Sequence, residues 1–432
     1  MEKGFSIYIE RREKLIKTIR EKHHNKNGVV LFLADFENKK YKFRQESTFY
    51  YFTGLEEPGM ALSVSLNGPT FAYLAQYSEP RNKWATSILY GADKSSIKSW
   101  GIDEIQYLGN VCQGYSISSL CGATEYEYLL KILEDHAAQG NYIFTTYAVG
   151  GTMQKMIIDR FISLLPGLAK QIIDISDIVS SFRRTKSKDE IEHIYNAVDC
   201  TIAAQEGAAQ IIDADEFEHA VEAGIEFVYI QSGGRAAFPS IVASGKNSTI
   251  LHYNANNSLM KKGDLVIVDI GADIDYYCAD ITRTYPVSGI FSKRQKELYN
   301  IVLETQEYIE SLAQPGYWLY NKAEPQKSLH HLSYEFLEKI GYAKYFTHKI
   351  GHFLGLDVHD LGDYNEPLKE GDIITIEPGI YIPEEGIGIR IEDNYWIVKD
   401  GVLCLSQDLP KDPHLIEELM AQSGFDEDEF ED

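Results

Sequence analysis

Two strand-like stretches of the sequence carry acidic residues, and buried acids of like charge restrict what such a chain can fold into. Residues 266–286 read VIVDIGADIDYYCADITRTYP, in which Asp269 follows one apolar run and Asp280 precedes another. A tight turn centred on Ile274 and Asp275 predicts a β-hairpin in which the two acids face each other. Carboxylates directly opposite each other destabilise a sheet, so this pairing needs compensation.

A second stretch repeats the arrangement. Residues 375–398 read TIEPGIYIPEEGIGIRIEDNYWIV, and a turn centred on Glu384 and Glu385 places Glu377 opposite Glu392. Shared protons, basic neighbours or bound cations could each offset two buried acid pairs. A set of carboxylates together with imidazole favours a divalent ion such as Mn, Co, Fe or Zn, and four carboxylates can hold two ions.

The composition excludes several classes of function. The net charge is −24, from 65 acidic and 41 basic residues, and a negative field of this kind opposes binding to nucleic acid or anionic membrane. No apolar run of about 18 residues or signal-peptide core occurs. The cysteines are scattered without a CxxC pair, which predicts a reducing, cytoplasmic location and no disulfide framework: Cys112, Cys121, Cys200, Cys278 and Cys404.

The chain is long enough for two domains. Its first part alternates strand-like and helical segments, which predicts an α/β domain: strands at 28–34, 60–66 and 71–77, and a helix at 125–140. A basic loop within 180–194 marks the boundary, where Ser187 and Glu190 form a capping-box pattern that opens a long helix. Strand-like runs dominate afterwards. We therefore predict an α+β protein with domains at 1–178 and 179–432.

Four histidines are candidates for chemistry. His348, His352 and His359 lie in HKIGHFLGLDVHD, where two glycines argue against a regular helix, and His252 lies in the polar segment SGKNSTILHYNANN. The HxxxH spacing alone is common by chance, so its weight comes from the acids nearby. Seven further histidines are expected at the solvated surface: His23, His24, His193, His219, His330, His331 and His414.

Five sequence blocks together resemble the pita-bread-fold metallopeptidases, in the branch of aminopeptidase P and prolidase. The blocks are HY at 252–253, DIGADIDYYCADITRTYPVSG, GHFLGLDVHD, IEPGIYI and GIGIRIED. The segment FRQESTFYYFTGLEEPG at 43–59 is similar to the N-terminal domain of that branch. The resemblance implies a C-terminal pita-bread catalytic domain preceded by an N-terminal α/β domain.

The resemblance also implies a centre with two divalent metal ions. Its ligands fall on Asp269, Asp280, His352, Glu377 and Glu392, with Asp280 and Glu392 bridging the ions. Manganese is the expected metal, with cobalt, iron or zinc as alternatives. Such a pair of ions acidifies a bridging water and polarises the scissile carbonyl group.

Other residues match supporting positions of the family. Glu377 corresponds to a proton shuttle, Arg390 to an arginine that supports the cluster, and Tyr381 is expected to line a pocket for proline. Arg283 is expected to serve structure. Three histidines correspond to groups that stabilise the oxyanion and seat the substrate: His252, His348 and His359.

The activity implied is removal of the N-terminal residue from short peptides with proline in second position. Prolidase, which cuts Xaa-Pro dipeptides, is the main alternative, because the same five ligands serve both reactions. A non-catalytic relative would have lost ligands that are intact here, and a methionine aminopeptidase is disfavoured by the large N-terminal domain. The resemblance further implies a homo-oligomer, either a dimer or a tetramer.

Overall fold

The computed structural model describes residues 4–38, 40–117, 124–147 and 152–421. The chain divides into two compact units, Met1–Ser180 and Ser181–Asp432, and the boundary predicted from the sequence lies two residues before this division. Cys121 and the acidic tail at 425–432 fall outside the described residues. Cys200 and Cys404 are free thiols.

The N-terminal unit is built on a six-stranded mixed sheet with the strand order β4-β3-β2-β1-β5-β6. Its strands are β1 (Gly28–Leu33), β2 (Ala61–Ser65), β3 (Thr70–Leu74), β4 (Glu104–Tyr107), β5 (Tyr142–Thr145) and β6 (Ile172–Asp174). Its helices are α1 (Ser6–Lys22), α2 (Ser47–Thr53), α3 (Lys94–Ser99), α4 (Glu127–Ala138) and α5 (Met153–Leu164), with short 3-10 helices at Arg81–Lys83 and Pro166–Lys170. Helix α6 (Ser176–Arg184) includes the point at which the chain divides.

The predicted elements of this unit are confirmed. Strand β1 is buried along its whole length, as its continuous apolar run predicts, and the helix expected at 125–140 is α4. Strands β2 and β3 lie within one residue of their expected starts. Within the described residues, no helix combines the length and the apolar composition needed to cross a membrane.

The C-terminal unit packs helices against several small antiparallel sheets. Its strands are β7 (Arg235–Ala236), β8 (Ile241–Ser244), β9 (Leu265–Ile270), β10 (Ala272–Ile274), β11 (Tyr277–Cys278), β12 (Ile281–Pro286), β13 (Ile373–Ile376), β14 (Gly379–Ile382), β15 (Ile387–Arg390), β16 (Asp393–Val398) and β17 (Gly401–Cys404). Its helices are α7 (Lys188–Ile211), α8 (Glu218–Gln231), α9 (Lys293–Leu312), α10 (Leu329–Lys339) and α11 (Pro413–Ala421), with 3-10 helices at Gly245–Thr249, Pro325–Lys327 and Ala343–Tyr345. The predicted capping box of Ser187 and Glu190 opens α7.

The turn of the first predicted hairpin lies one residue later than expected. Its central residues are Asp275 and Tyr276, whose φ angles are 50° and 75°. Ile274 instead remains in β10, where it pairs with Tyr277. A β-branched side chain is strained in the left-handed region that a tight hairpin turn requires, so isoleucine is a poor turn residue. The predicted register is therefore wrong.

The corrected register changes how the two acids of this hairpin meet. Asp269 pairs with Thr282 across β9 and β12, while Asp280 precedes β12 and lies two residues nearer the turn. In an antiparallel pair, such positions are diagonal neighbours on the same face of the sheet. The two carboxylates therefore share a face without standing directly opposite each other.

The second predicted register is confirmed. Ile376, the last residue of β13, pairs with Asp393 in β16, and β14 continues the same register against β15. Glu377 and Glu392 occupy matching positions in the gap between these two ladders. The turn expected around Glu384 and Glu385 is observed between β14 and β15.

The segment predicted as a basic loop is partly helical, and its arginines and Lys186 are buried and ion-paired. Arg183 and Arg184 complete α6, and the side chains of both arginines and of Lys186 are at most 3% exposed. Asp360 lies 2.5 Å from Arg183 Nη2 and 2.9 Å from Lys186 Nζ, while Asp372 lies 2.7 Å from Arg184 Nη2. Buried charges require such partners. These partners lie 177 and 188 residues further along the chain, so local sequence patterns cannot predict them.

Candidate metal centre

Four carboxylates and one imidazole converge on the wall of a cavity of about 790 Å³ in the C-terminal unit. The ligand atoms of Asp280, His352 and Glu392 all lie within 4.8 Å of one another. His352 Nε2 lies 3.3 Å from Asp280 Oδ2 and 3.5 Å from Glu377 Oε1. Asp269 also lines the cavity. The structure thus brings together all five side chains that the sequence predicts as ligands.

Thr282 is the point where the two strand systems meet. It pairs with Asp269 in β9 and forms a separate antiparallel bridge with Glu392. Its hydroxyl donates a 2.7 Å hydrogen bond to Glu392 Oε2. Sequence reasoning missed this residue, although its spacing of two from Asp280 indicates the same face of an extended chain.

The carboxylates crowd each other in a buried place. Burial raises the pKa of Asp280 well above its usual value, and the nearby carboxylates of Asp269 and Glu377 raise this pKa further. Burial also raises the pKa of Glu392 and of Glu377. Within the described part of the chain, Oδ1 of Asp269 and Oδ1 of Asp280 are buried without a hydrogen-bond partner.

These unsatisfied oxygens fit a cation. A buried oxygen without a donor costs free energy, and carboxylates that repel one another are stabilised when a cation lies among them. Oxygen and imidazole ligands suit first-row divalent ions. The donor set and its electrostatics are therefore those of a divalent metal centre.

His352 is held in the orientation that a ligand needs. Its Nδ1 lies 3.1 Å from the carbonyl oxygen of Phe353, so this nitrogen carries the proton and Nε2 is left as the acceptor that faces the carboxylates. The preceding residue, Gly351, lies directly against β13, where a Cβ atom would stand 2.0 Å from the carbonyl oxygen of Thr375. Glycine is required there by this close approach.

Arg390 neutralises part of the negative charge from one side. Its Nη2 lies 2.5 Å from Asp269 Oδ2, and its Nε donates to the Thr282 hydroxyl at 3.2 Å. Its Nη1 donates to the Tyr381 hydroxyl at 2.8 Å. The predicted support of the cluster by Arg390 is thus a direct ion pair with one of its acids.

Arg390, Tyr381 and His348 are connected by consecutive hydrogen bonds. The Tyr381 hydroxyl accepts from Arg390 and lies 2.9 Å from His348 Nε2. His348 Nδ1 lies 2.8 Å from the carbonyl oxygen of Lys349 and so carries the proton. Burial, followed by the charge of Arg390, lowers the pKa of His348 to about 3, so its ring is neutral at pH 7. Tyr381 is 4% exposed and does not line the cavity, where the sequence prediction placed it.

The two remaining predicted histidines face the cavity. The ring of His359 stacks on that of His352 with centroids 4.0 Å apart, and burial lowers the pKa of His359 to about 4. His252 lines the same cavity. The rest of the wall combines an apolar patch with a few polar groups: Ala237, Phe238, Pro239, Ile241, Leu251, Asn254, Lys349, Val358 and Tyr364.

Arg283 and His330 were predicted to lie outside the site, and the structure shows the surroundings of each. Arg283 is fully buried and binds Asp393 and the carbonyl oxygens of Leu409 and Pro410, away from the cavity. His330 is not a solvated residue as expected, because it packs in an aromatic group with Phe346, 5.5 Å between ring centroids. Burial lowers the pKa of His330 to about 4.

The comparison with known proteins decides the family. Residues 192–399 match the model of metallopeptidase family M24, and residues 8–113 match that of the aminopeptidase P N-terminal domain. A Xaa-Pro aminopeptidase of Haemophilus influenzae is 31% identical over 91% of this chain and 93% of its own length. The chain belongs to metallopeptidase family M24. It is a hydrolase, and membership implies divalent metal ions.

Two further relatives refine this placement. A structure of Escherichia coli aminopeptidase P with the inhibitor Pro-Leu has a TM-score of 0.80 at 26% identity and covers 98% of this chain and 99% of its own. A Xaa-Pro dipeptidase of Pyrococcus furiosus is 36% identical, over 61% of this chain and 74% of its own length. The predicted α+β class and the resemblance to the aminopeptidase P branch are confirmed.

The raised carboxylate pKa values predict how pH acts on the metal-free protein. The acids at 280, 377 and 392 have higher pKa values in the folded than in the unfolded chain, where they titrate near pH 4. Above that pH the folded state binds more protons than the unfolded state, so these acids reduce the free energy of unfolding as pH rises. We expect the metal-free melting temperature to fall from pH 5 to pH 8 more steeply than that of metal-free Glu392→Gln.

Differential scanning calorimetry after chelation measures both slopes. Metal restores stability most at the higher pH, because the ions stabilise the ionised carboxylates. Exposed Asp408→Asn is the matched control and should keep the wild-type slope. Equal slopes for wild type and Glu392→Gln would contradict the assignment of strained carboxylates to this centre.

Proposed function

We propose that this protein is a metal-dependent Xaa-Pro aminopeptidase that removes the N-terminal residue from short peptides with proline in second position. The observation that carries the proposal is the match over more than nine-tenths of the chain to Xaa-Pro aminopeptidases, with an acid and histidine cluster facing a peptide-sized cavity. The N-terminal match at residues 8–113 supports the aminopeptidase over the dipeptidase.

We propose Asp269, Asp280, His352, Glu377 and Glu392 as the ligands of two divalent ions, with Asp280 and Glu392 shared between them. When bound, two such ions make water more acidic and polarise a carbonyl group. Manganese is our first candidate because oxygen ligands dominate the set. The unsatisfied oxygens of Asp269 and Asp280 support this assignment.

Glu377 is proposed to move the proton. It is the most exposed acid of the cluster, with 18% of its side chain accessible, and burial holds its pKa above the usual value. A carboxylate with a raised pKa accepts a proton from the attacking water more readily and then donates it. The proline nitrogen needs that proton in order to leave as a secondary amine.

The neutral histidines are proposed to handle the developing oxyanion. His359 has its pKa lowered to about 4, so at pH 7 it offers an N–H donor without bringing a charge into the cavity. An oriented donor of this kind stabilises the tetrahedral state that follows attack on the carbonyl. We assign His252, on the same cavity, to seating the substrate. Both ring nitrogens of His348 are occupied within the protein, and its ring forms part of the wall.

The apolar patch of the cavity is proposed to receive the proline ring. Phe238, Pro239 and Ile241 stand together on one wall, and Val358 lies on the loop that carries His359. The nitrogen of the scissile amide belongs to proline and carries no N–H, so an apolar wall can surround the ring without leaving a buried donor unpaired. We propose Tyr381 as a positioning residue for His348 and Arg390.

We also propose that the chain works in the cytoplasm as a homo-oligomer, either a dimer or a tetramer. The free thiols of Cys200 and Cys404 agree with a reducing compartment. Analytical ultracentrifugation of the full chain measures the oligomeric state directly.

A short peptide panel separates the two candidate activities. The Pyrococcus furiosus dipeptidase match makes prolidase the alternative, so we compare Gly-Pro with Gly-Pro-Pro, after reconstitution with Mn²⁺. We expect turnover of the tripeptide and of longer Xaa-Pro peptides, with Gly-Ala-Ala and Met-Ala-Ser as controls that are not cut. Cleavage of Gly-Pro alone would establish the dipeptidase instead.

Two variants separate the ligand from the oxyanion donor. Asp280→Asn should lose both bound metal and activity, since it removes a charge shared by both ions. His359→Ala should lower kcat on the order of a hundredfold or more while the metal content stays that of the wild type. Elemental analysis and steady-state kinetics measure the two effects. Metal loss in His359→Ala would make this residue a ligand and contradict the assignment.

A further inference from the structure

The position of His252 depends on the loop that carries it. Residues 244–258 begin at the last residue of β8 and form most of the connection to β9. They are rich in Asn, Ser and Gly, a composition that does not itself fix a backbone conformation. Within the described residues, the imidazole of His252 makes no hydrogen bond, ion pair or ring contact, whereas His348, His352 and His359 are each held by one. A side chain that makes none of these contacts is positioned by the backbone that carries it.

A single buried carboxylate holds this loop at both ends. Glu218 starts α8 and is 0% exposed. Its Oε1 accepts from the Ser244 amide at 2.8 Å, the Ser244 hydroxyl at 2.6 Å and Asn247 Nδ2 at 3.0 Å. Its Oε2 accepts from the Tyr253 hydroxyl at 2.7 Å and the Ser258 amide at 2.9 Å. The first and last residues of the loop and the neighbour of His252 therefore share one anchor.

The opposite side of the loop rests on the strand that carries Arg390. The Gly388 amide in β15 donates to the Ser248 hydroxyl at 2.7 Å, and a Cβ atom at Gly388 would stand 2.0 Å from the Ser248 carbonyl oxygen. The loop is thus fixed between Glu218 and the wall of the metal centre. Any change at the anchor is transmitted to His252 through one or two residues of backbone.

The donors around Glu218 require an acceptor at both of its side-chain oxygens. Ser244, Asn247 and Ser258 each present an N–H group, which cannot reverse its role as a hydroxyl can. These N–H groups point at both oxygens of the side chain. A glutamine would set its NH₂ group against one of them in either orientation, so the isosteric amide cannot replace the acid.

We propose that Glu218 is a positioning residue for His252, and through it for the seating of substrate. The role of His252 in seating substrate rests on the proposed function. The way in which Glu218 holds the loop rests on the hydrogen bonds alone. Glu218 lines no part of the cavity, so its effect on the reaction must pass through the loop. Among the described residues of α8, Glu218 is the one charged side chain that is buried.

A double-mutant cycle tests the coupling. Glu218→Gln should lower kcat/KM for Gly-Pro-Pro on the order of tenfold to a hundredfold, with the metal content unchanged. In a His252→Ala background the same change should cost less than about threefold, because the residue it positions is gone. Glu222 lies one turn further along α8, and its side chain makes no hydrogen bond among the described residues, so Glu222→Gln should match the wild type. Equal losses in both backgrounds would overturn the proposal.

Hydrogen–deuterium exchange gives a readout that is independent of turnover. Amides in 244–258 should exchange faster in Glu218→Gln than in the wild type, with α9 and β9 unchanged; unchanged exchange in the loop would also overturn the proposal. If Glu218→Gln does not fold, Tyr253→Phe removes one hydrogen bond between Glu218 and the loop, and exposed Tyr334→Phe is its control. Faster exchange in the loop of Tyr253→Phe would then support the proposal, and unchanged exchange would overturn it. Wild-type protein that cuts no Xaa-Pro peptide would refute the proposed function, while exchange would still decide whether Glu218 holds the loop.

Discussion

The C-terminal unit is organised around the mutual repulsion of buried carboxylates. Three of the acids have raised pKa values because they are withdrawn from water and close to one another. Arg390 pairs with Asp269 and the Thr282 hydroxyl with Glu392, so the protein itself offsets only part of this charge. The remaining negative charge must be neutralised by protons or cations. A carboxylate cluster that is stabilised by cations is therefore also a cluster that binds them.

The surrounding structure holds these acids at fixed positions despite their repulsion. Antiparallel ladders contain or flank the four carboxylates, and the two strand systems meet at Thr282, which pairs with residues of both. The loops that bring histidines to the cavity have separate anchors, each a buried acid: Asp360, bound by Arg183 and Lys186, lies next to His359, and Glu218 holds the loop of His252. Rigid placement of this kind is what catalysis by oriented groups requires.

Patterns of alternation and turn residues in the sequence predicted the parts of the site that lie within a single β-hairpin. The register that joins Glu377 to Glu392 was correct because turn and alternation agree there. The first hairpin was shifted because an isoleucine cannot occupy the turn, and Thr282 was missed because its partner lies 110 residues away. The ion pairs of the buried arginines and the hydrogen bonds of Glu218 could not be predicted from local patterns either, because their partners are distant in sequence and only folding brings them together.

The proposed metal centre holds two ions among five side chains. Anomalous scattering from crystals of the Mn²⁺-loaded protein locates such ions without reference to activity. We predict two peaks roughly 3.5–4 Å apart, one touched by Asp269, the other by His352 and Glu377, and both by Asp280 and Glu392. A single peak, or peaks outside this cluster, would contradict the account.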